Sequence, residues 1–222
     1  MTAWIRANRG FLLFVLGFLF FRTAVADWNP IPSGSMRPTL LEGDVVLVDR
    51  LAYDAKLPLS DVSLRRLAEP QRGDVVTFSS PRDGTRLIKR VVALPGDTVE
   101  LRGGVLRVNG VDATYDETEA VVEPLAPGVG VHARRATEHL GAHSHRVQEL
   151  RGATAARDFG PLTLAADHFF MLGDNRDNSA DSRFIGPVPR VRIIGRAHRV
   201  LVSADITGAW LPRFERWVAP IR

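Results

Sequence analysis

Ser33-Gly34-Ser35-Met36-Arg37-Pro38-Thr39-Leu40 sets a hydroxyl between a glycine and a methionine in a proline-framed turn. Such a serine could attack a carbonyl, but it is a weak nucleophile until a base takes its proton. The chain has 6 histidines to search first. His132, His139, His143 and His145 cluster in a stretch of weak pattern and read as a solvated loop. His139 and His143 have the four-residue spacing of a helical metal pair, yet no Glu-x-x-His frame or fitting third ligand accompanies them, so no metal is expected. His168 opens an apolar run, and His198 sits among arginines. No Gly-x-Ser-x-Gly elbow supports a Ser-His-Asp hydrolase.

Lys89 is the better base. In Leu87-Ile88-Lys89-Arg90-Val91-Val92-Ala93-Leu94, strand alternation groups Lys89 with Leu87, Val91 and Ala93, and Arg90 with Ile88 and Val92. Apolar neighbours desolvate the ammonium and favour the neutral amine. An unperturbed lysine is neutral at pH 7 in only about one molecule in 2,500. Tuning it to a base needs roughly 3–5 kcal/mol of differential desolvation. A snorkelling or ion-paired lysine fits the same periodicity. The third segment is Gly173-Asp174-Asn175-Arg176-Asp177-Asn178-Ser179-Ala180-Asp181-Ser182-Arg183. It lacks the glycine at position six and the acid at position twelve of a calcium loop. It is either a polar surface loop or a hydrogen-bonded network that orients a base.

The elements that must position these groups are mostly strands. Val45–Val48 and Val75–Phe78 are β-branched runs, each introduced by Gly-Asp. Leu87–Leu94 is stopped by Pro95-Gly96, and Gly103-Gly104 and Asn109-Gly110 mark two hairpin turns. Leu51–Pro70 reads as a mixed loop with exposed apolar residues. From about 113 to 166 the pattern weakens into a less regular, inserted β subdomain. His168–Leu172 and Arg192–Ser203 supply further strands, and the tail from Trp210 is polar and aromatic. The class is mainly β. The expected division is an anchor over 1–28, a first core part over 29–102, an insertion over 103–166 and a second core part over 167–222.

The chain has 222 residues and a net charge of +4, with no cysteine and therefore no disulfide or thiolate chemistry. Its basic balance fits an anionic bilayer better than nucleic acid, because no finger spacing, long basic run or basic-aromatic stripe is present. Phe11–Phe21 is uninterrupted apolar, and the distance from Trp4 to Trp28 would be roughly 36 Å as a helix. This reads as a tilted span with interfacial aromatics and a snorkelling Arg22. Equally, Arg6 and Arg9, a short apolar core and Ala24-Val25-Ala26 have the form of a cleavable signal peptide. Under either reading the N-terminus lies in the cytoplasm and the rest faces outward.

Four ordered blocks carry a resemblance: Ile31–Leu41, Arg72–Phe78, Leu87–Asp97 and Gly173–Gly186. In order and spacing they resemble the bacterial type I signal peptidases, membrane serine proteases that remove signal peptides from exported preproteins. The resemblance implies an all-β catalytic core with a β insertion, behind one N-terminal transmembrane helix where some relatives have two. It implies no cofactor. Ser35 would be the nucleophile and Lys89 the general base. The Ser35 N–H and the Ser33 hydroxyl would form the oxyanion hole. Ser179 would orient Lys89, with Asp181–Arg183 and Asp174–Arg90 as structural ion pairs. Ile31, Met36, Leu40, Leu87 and Ile88 match positions near pockets for small side chains, although core packing suits each as well. The implied partners are preprotein signal peptides, the phospholipid bilayer and the secretion translocon. The implied location is the cytoplasmic membrane with the catalytic domain outside.

Overall fold

Short β-branched runs punctuated by Gly-Asp, Pro-Gly and Asn-Gly favour antiparallel strands with tight connections. The computed structural model of the protein describes residues 2–126, 129–152 and 156–221. Its strands begin with β1 (Ala26–Pro30), β2 (Asp44–Asp49), β3 (Asp54–Lys56), β4 (Ser63–Arg66), β5 (Val75–Ser79) and β6 (Arg86–Ala93). They continue with β7 (Thr98–Arg102), β8 (Val105–Val108), β9 (Val111–Asp112), β10 (Thr114–Ala126), β11 (Val129–Leu140) and β12 (His143–Leu150). Last come β13 (Phe159–Thr163), β14 (His168–Leu172), β15 (Val188–Pro189) and β16 (Ile193–Ser203).

A seven-stranded sheet runs β1-β2-β16-β5-β6-β14-β15, and its neighbours pair antiparallel. Both faces are covered, which is why Val75–Phe78 is continuously buried, Thr77 included, rather than alternating. Val75 packs with Ile31, Met36, Leu40, Val46 and Val48, whereas Val76 and Phe78 pack with Tyr53, Val91, Met171 and Ile193. A four-stranded sheet, β13-β7-β8-β9, closes a third core over Val92, Ala93, Phe170 and Leu172. Alternation along β6 holds to Val91 and then fails, because a register shift against β14 sends Val92 and Ala93 into the same core.

Three expectations are corrected. The stretch after 113, expected as a β subdomain of weak pattern, contains three long strands in one sheet, β10-β11-β12. Its charges hid it: Glu119 and Glu123 on β10 meet Arg146 on β12 and Arg135 on β11, so polar residues serve as cross-strand partners. The histidines expected in a solvated loop therefore lie on strands, and His145 is buried. Leu51–Pro70 contains the hairpin β3–β4. It is fixed by Arg190 on Asp54 at 3.0 Å and by Lys56, whose Nζ donates to the Ile193 and Ile194 carbonyls at 2.7 and 2.6 Å.

The third concerns the N-terminus. α1 (Thr2–Ala7) and α2 (Arg9–Phe20) are interrupted at Asn8, and a π-helical turn over Phe21–Val25 ends where Ala26 enters β1. The expected continuous helix from Trp4 to Trp28 is thus absent: among the described residues no helix is long and apolar enough to cross a membrane. Ala26, Asp27 and Trp28 pair with Asp49, Val48 and Leu47, so the division expected at 28/29 falls inside a strand. The 102/103 division likewise falls at the turn of the β7–β8 hairpin.

Candidate active site

Ser35 sits in a single 3-10 turn, Gly34–Met36, that a fully buried Met36 and Leu40 nail into the core below it. Arg37 N–H donates to the Gly34 carbonyl at 3.1 Å and Leu40 N–H to the Met36 carbonyl at 2.9 Å. Two further bonds reach the turn from the polar loop. The Asn175 side chain donates to the Gly34 carbonyl at 2.9 Å, and its backbone N–H to the Ser35 carbonyl at 3.2 Å. Gly173 makes that approach possible: a Cβ there would collide with the Ser35 carbonyl oxygen and the Ser179 hydroxyl.

β6 delivers Lys89 from between β5 and β14. Its Nζ lies 2.6 Å from Ser35 Oγ and donates to the Ile88 carbonyl at 2.9 Å. Lys89 is 2% exposed. Burial pushes its ammonium down to about 8, against the opposing pull of Asp181 and Asp174. At that value roughly one lysine in ten is neutral at pH 7. A neutral Nζ at hydrogen-bond distance has its lone pair in reach of the Ser35 proton. Ser33 is exposed, its hydroxyl 3.5 Å from Ser35 Oγ.

The ion pairs expected near Ser35 and Lys89 are present, Arg90–Asp174 and Arg183–Asp181. Arg90 donates from Nε and Nη2 to Asp174 at 2.9 and 2.7 Å, and Thr39 donates to the same carboxylate at 2.5 Å. Burial works against ionising Asp174, but the Arg90 guanidinium and the Thr39 hydroxyl hold its carboxyl below the usual range. Asp181 accepts from Arg183 Nε and Nη2, both at 2.8 Å, and from Gly173 N–H at 3.1 Å. Arg183 Nη2 also ties the Arg176 carbonyl at 2.6 Å, so the loop is braced from both ends.

Other expected residues lie elsewhere. Ser179 makes no hydrogen bond to Lys89; its hydroxyl is buried without a partner among the described residues. The Ile31, Met36 and Leu40 side chains are enclosed in the core, where no substrate can touch them in this conformation, while Leu87 and Ile88 stay partly open. His139 Nε2 is 2.9 Å from Asp116 rather than sharing a metal frame with His143.

Sequence reasoning missed the clamp residue Asn175 and a buried network behind the loop. Arg176 grips Glu138 of β11 through two bonds of 2.7 Å, and Tyr115 donates to Glu138 at 2.7 Å. His145 of β12 stands 3.4 Å from Glu138 and 3.9 Å from Asp174, and burial pushes its imidazolium down to about 4. Gln148 of β12 pairs in parallel with Asn175, and Glu123 of β10 is ion-paired with Arg37, two residues beyond Ser35. Partners this distant in sequence leave no local signal.

A family model described as signal peptidase, peptidase S26, matches residues 1–202. The chain is 37% identical over 221 residues to a signal peptidase I of Pseudomonas fluorescens, covering 92% of this chain and 74% of that protein. It is 38% identical over 220 residues to a signal peptidase I of Pseudomonas aeruginosa, again covering 92% and 74%. A solved structure, a signal peptidase I of Enterococcus faecalis V583, is 32% identical and covers 59% of this chain and 97% of its own, with a TM-score of 0.36.

Proposed function

The chain belongs to the signal peptidase family, peptidase S26, and from that premise we propose that it removes signal peptides by a Ser/Lys mechanism. The observation that carries this reading is the 2.6 Å approach of a buried Lys89 Nζ to Ser35 Oγ. Neutral Lys89 takes the hydroxyl proton as Ser35 Oγ attacks the scissile carbonyl. The resulting oxyanion lies between the Ser35 N–H and the Ser33 hydroxyl. Lys89 then returns its proton to the leaving amine, and the acyl-enzyme is hydrolysed by a water that Lys89 activates in turn. Arg90–Asp174 and Asp181–Arg183 keep the loop closed on the nucleophile turn without exchanging protons. Ser179 acts as orienter of Lys89 once a rotation of its unpartnered hydroxyl brings the two together.

The substrates are exported preproteins with small side chains before the cut, in the Ala-x-Ala manner, lying against the partly open Leu87 and Ile88. The enzyme needs no cofactor and binds no nucleic acid; the secretion translocon is a natural neighbour. The residues from Arg9 to Val25 lodge in the cytoplasmic membrane, with Arg6 and Arg9 at its cytoplasmic side and the catalytic domain outside. In support, α2 carries no buried residue, and Phe11, Leu13, Phe14 and Leu16 are exposed, leaving an apolar surface that suits lipid. The same Ala24-Val25-Ala26 sequence runs into β1, where Ala26 is paired, so the chain's own Ala-x-Ala is a poor substrate as folded. The deciding assay is cleavage of a model preprotein in liposomes by the wild type and Ser35→Ala. Complete loss with an unchanged melting temperature is expected, and substantial residual cleavage would defeat the assignment.

A further inference from the structure

A cavity of about 330 Å³ opens between the last helical turn at the N-terminus and the tip of the β3–β4 hairpin. Arg22, Arg50 and Arg86 line it with only Asp27 and Asp61 as acids. Arg22 and Arg86 share Asp27, at 3.2 and 3.3 Å, and Arg50 Nη2 holds Asp61 at 2.7 Å. Three guanidiniums against two carboxylates leave one positive charge unmatched. The Arg50 side chain is 5% exposed, and its Nε is buried with no hydrogen-bond partner. Arg50 Nη2 also donates to the Ser60 carbonyl at 3.0 Å, but the Nε–H has no acceptor; a buried donor left so is costly, which suits a site that takes an acceptor from outside the fold.

The opposite wall is apolar. Leu19 comes from α2, and Leu59 from the hairpin tip. Leu59 has φ +62°, a region that L-residues avoid, and its side chain is among the most exposed in the chain. A strained backbone that holds a leucine out of the core points to a use for that leucine.

We infer that this cavity binds the phosphodiester headgroup of an anionic phospholipid. The single negative charge of the phosphodiester matches the unmatched positive charge. Arginine suits phosphate oxygens through its planar fork of donors. Leu19 and Leu59 take the start of the acyl chains, so a lipid fits both walls whereas inorganic phosphate satisfies only one. Arg22 also lies 4.6 Å over the Trp28 ring, which holds its guanidinium at the rim. The inference rests on the bilayer placement of residues 9–25 proposed above.

The test uses the full chain in nanodiscs of phosphatidylcholine containing phosphatidylglycerol. Lipid retained per chain after mild detergent extraction is measured by mass spectrometry for the wild type, Arg50→Gln, Arg86→Gln and Leu59→Asn. The wild type should retain phosphatidylglycerol over phosphatidylcholine, with about tenfold less retained by Arg86→Gln and Arg50→Gln. Leu59→Asn should weaken retention while leaving the charge intact. Arg86 is half exposed, so its variant should melt with the wild type, which separates lost binding from lost folding. Equal retention by all variants would overturn the site. Displacement of the lipid by inorganic phosphate alone would overturn the lipid as its ligand. Flotation with pure phosphatidylcholine vesicles reads the bilayer placement separately. A wild type that does not float sinks both readings, whereas one that floats without retaining phosphatidylglycerol sinks only this one.

Discussion

Replacing Lys89 with methionine should destroy activity and stabilise the protein. Burial depresses the Lys89 ammonium to about 8 from 10.5. A depression of this size corresponds to about 3 kcal/mol of cost for holding the charged form in the folded state. Below pH 8 both the folded and the unfolded chain carry the proton, so that cost is present in full. Between about 8 and 10.5 the unfolded chain binds more protons than the folded one, so wild-type stability rises with pH and the cost disappears. Lys89→Met removes the charge and also the bond to Ser35, worth about 1 kcal/mol. The variant should therefore gain about 2 kcal/mol near pH 7. That corresponds to roughly 4–8 °C in melting temperature for a chain of this size. Lys56, also pushed down to about 8 by burial, is common to both proteins and cancels in the difference. The assay is paired denaturant unfolding at pH 6.5 and 9.5. The advantage should be flat below pH 8 and shrink above it. No gain at pH 6.5, or a gain independent of pH, would refute the claim that Lys89 is held at the expense of stability.

Activity should show the same group from the other side. The kcat/KM for a signal-peptide substrate should rise about tenfold per pH unit on the acid side and level off above about 8; a profile flat from pH 6 to 9 would remove Lys89 as the base. Glu138→Gln leaves the buried Arg176 guanidinium without its carboxylate and should cost about 3 kcal/mol in chemical denaturation. A loss under about 1 kcal/mol would show that Arg176 finds another partner. Ser179→Ala deletes a buried, unpartnered hydroxyl, so its melting temperature should equal or exceed that of the wild type, and a clear drop would reveal a bond absent from this conformation.

The parts of the site that could be read in the sequence were those with a local signature. Ser35 stood out by its turn, and Lys89 by a lysine at an apolar strand position. The turns at Gly103-Gly104 and Asn109-Gly110 fall between β7 and β8 and between β8 and β9. What escaped notice depends on pairing across distance. The 114–150 sheet buries Glu123, Glu138, His145 and Gln148, polar residues that in one dimension resemble a solvated surface. The end of the helix escaped for a related reason. Ala26 continues an apolar helical pattern, but β2 offers it a strand partner, and tertiary pairing overrides local propensity. For Met36 and Leu40 the sequence left core packing and a substrate pocket both open, and the structure has them fully buried beneath the Ser35 turn, an anchoring demand that a motif alone does not distinguish from substrate recognition.

The Asn175 clamp on Gly34 spans 141 residues, and that separation sets a clock. During synthesis at about 5–20 residues per second, the serine turn emerges roughly 7–28 s before the segment that holds it. Until then Ser35 has neither its backbone clamp nor the Asp174–Arg90 brace, and the insertion sheet has nothing to dock on. Closing so long a loop comes late in folding. A nascent chain thus carries Ser35 for some time without the contacts that hold its turn. The assembled site arrives only when nearly the whole polypeptide has been made, a delay written into the order of its segments.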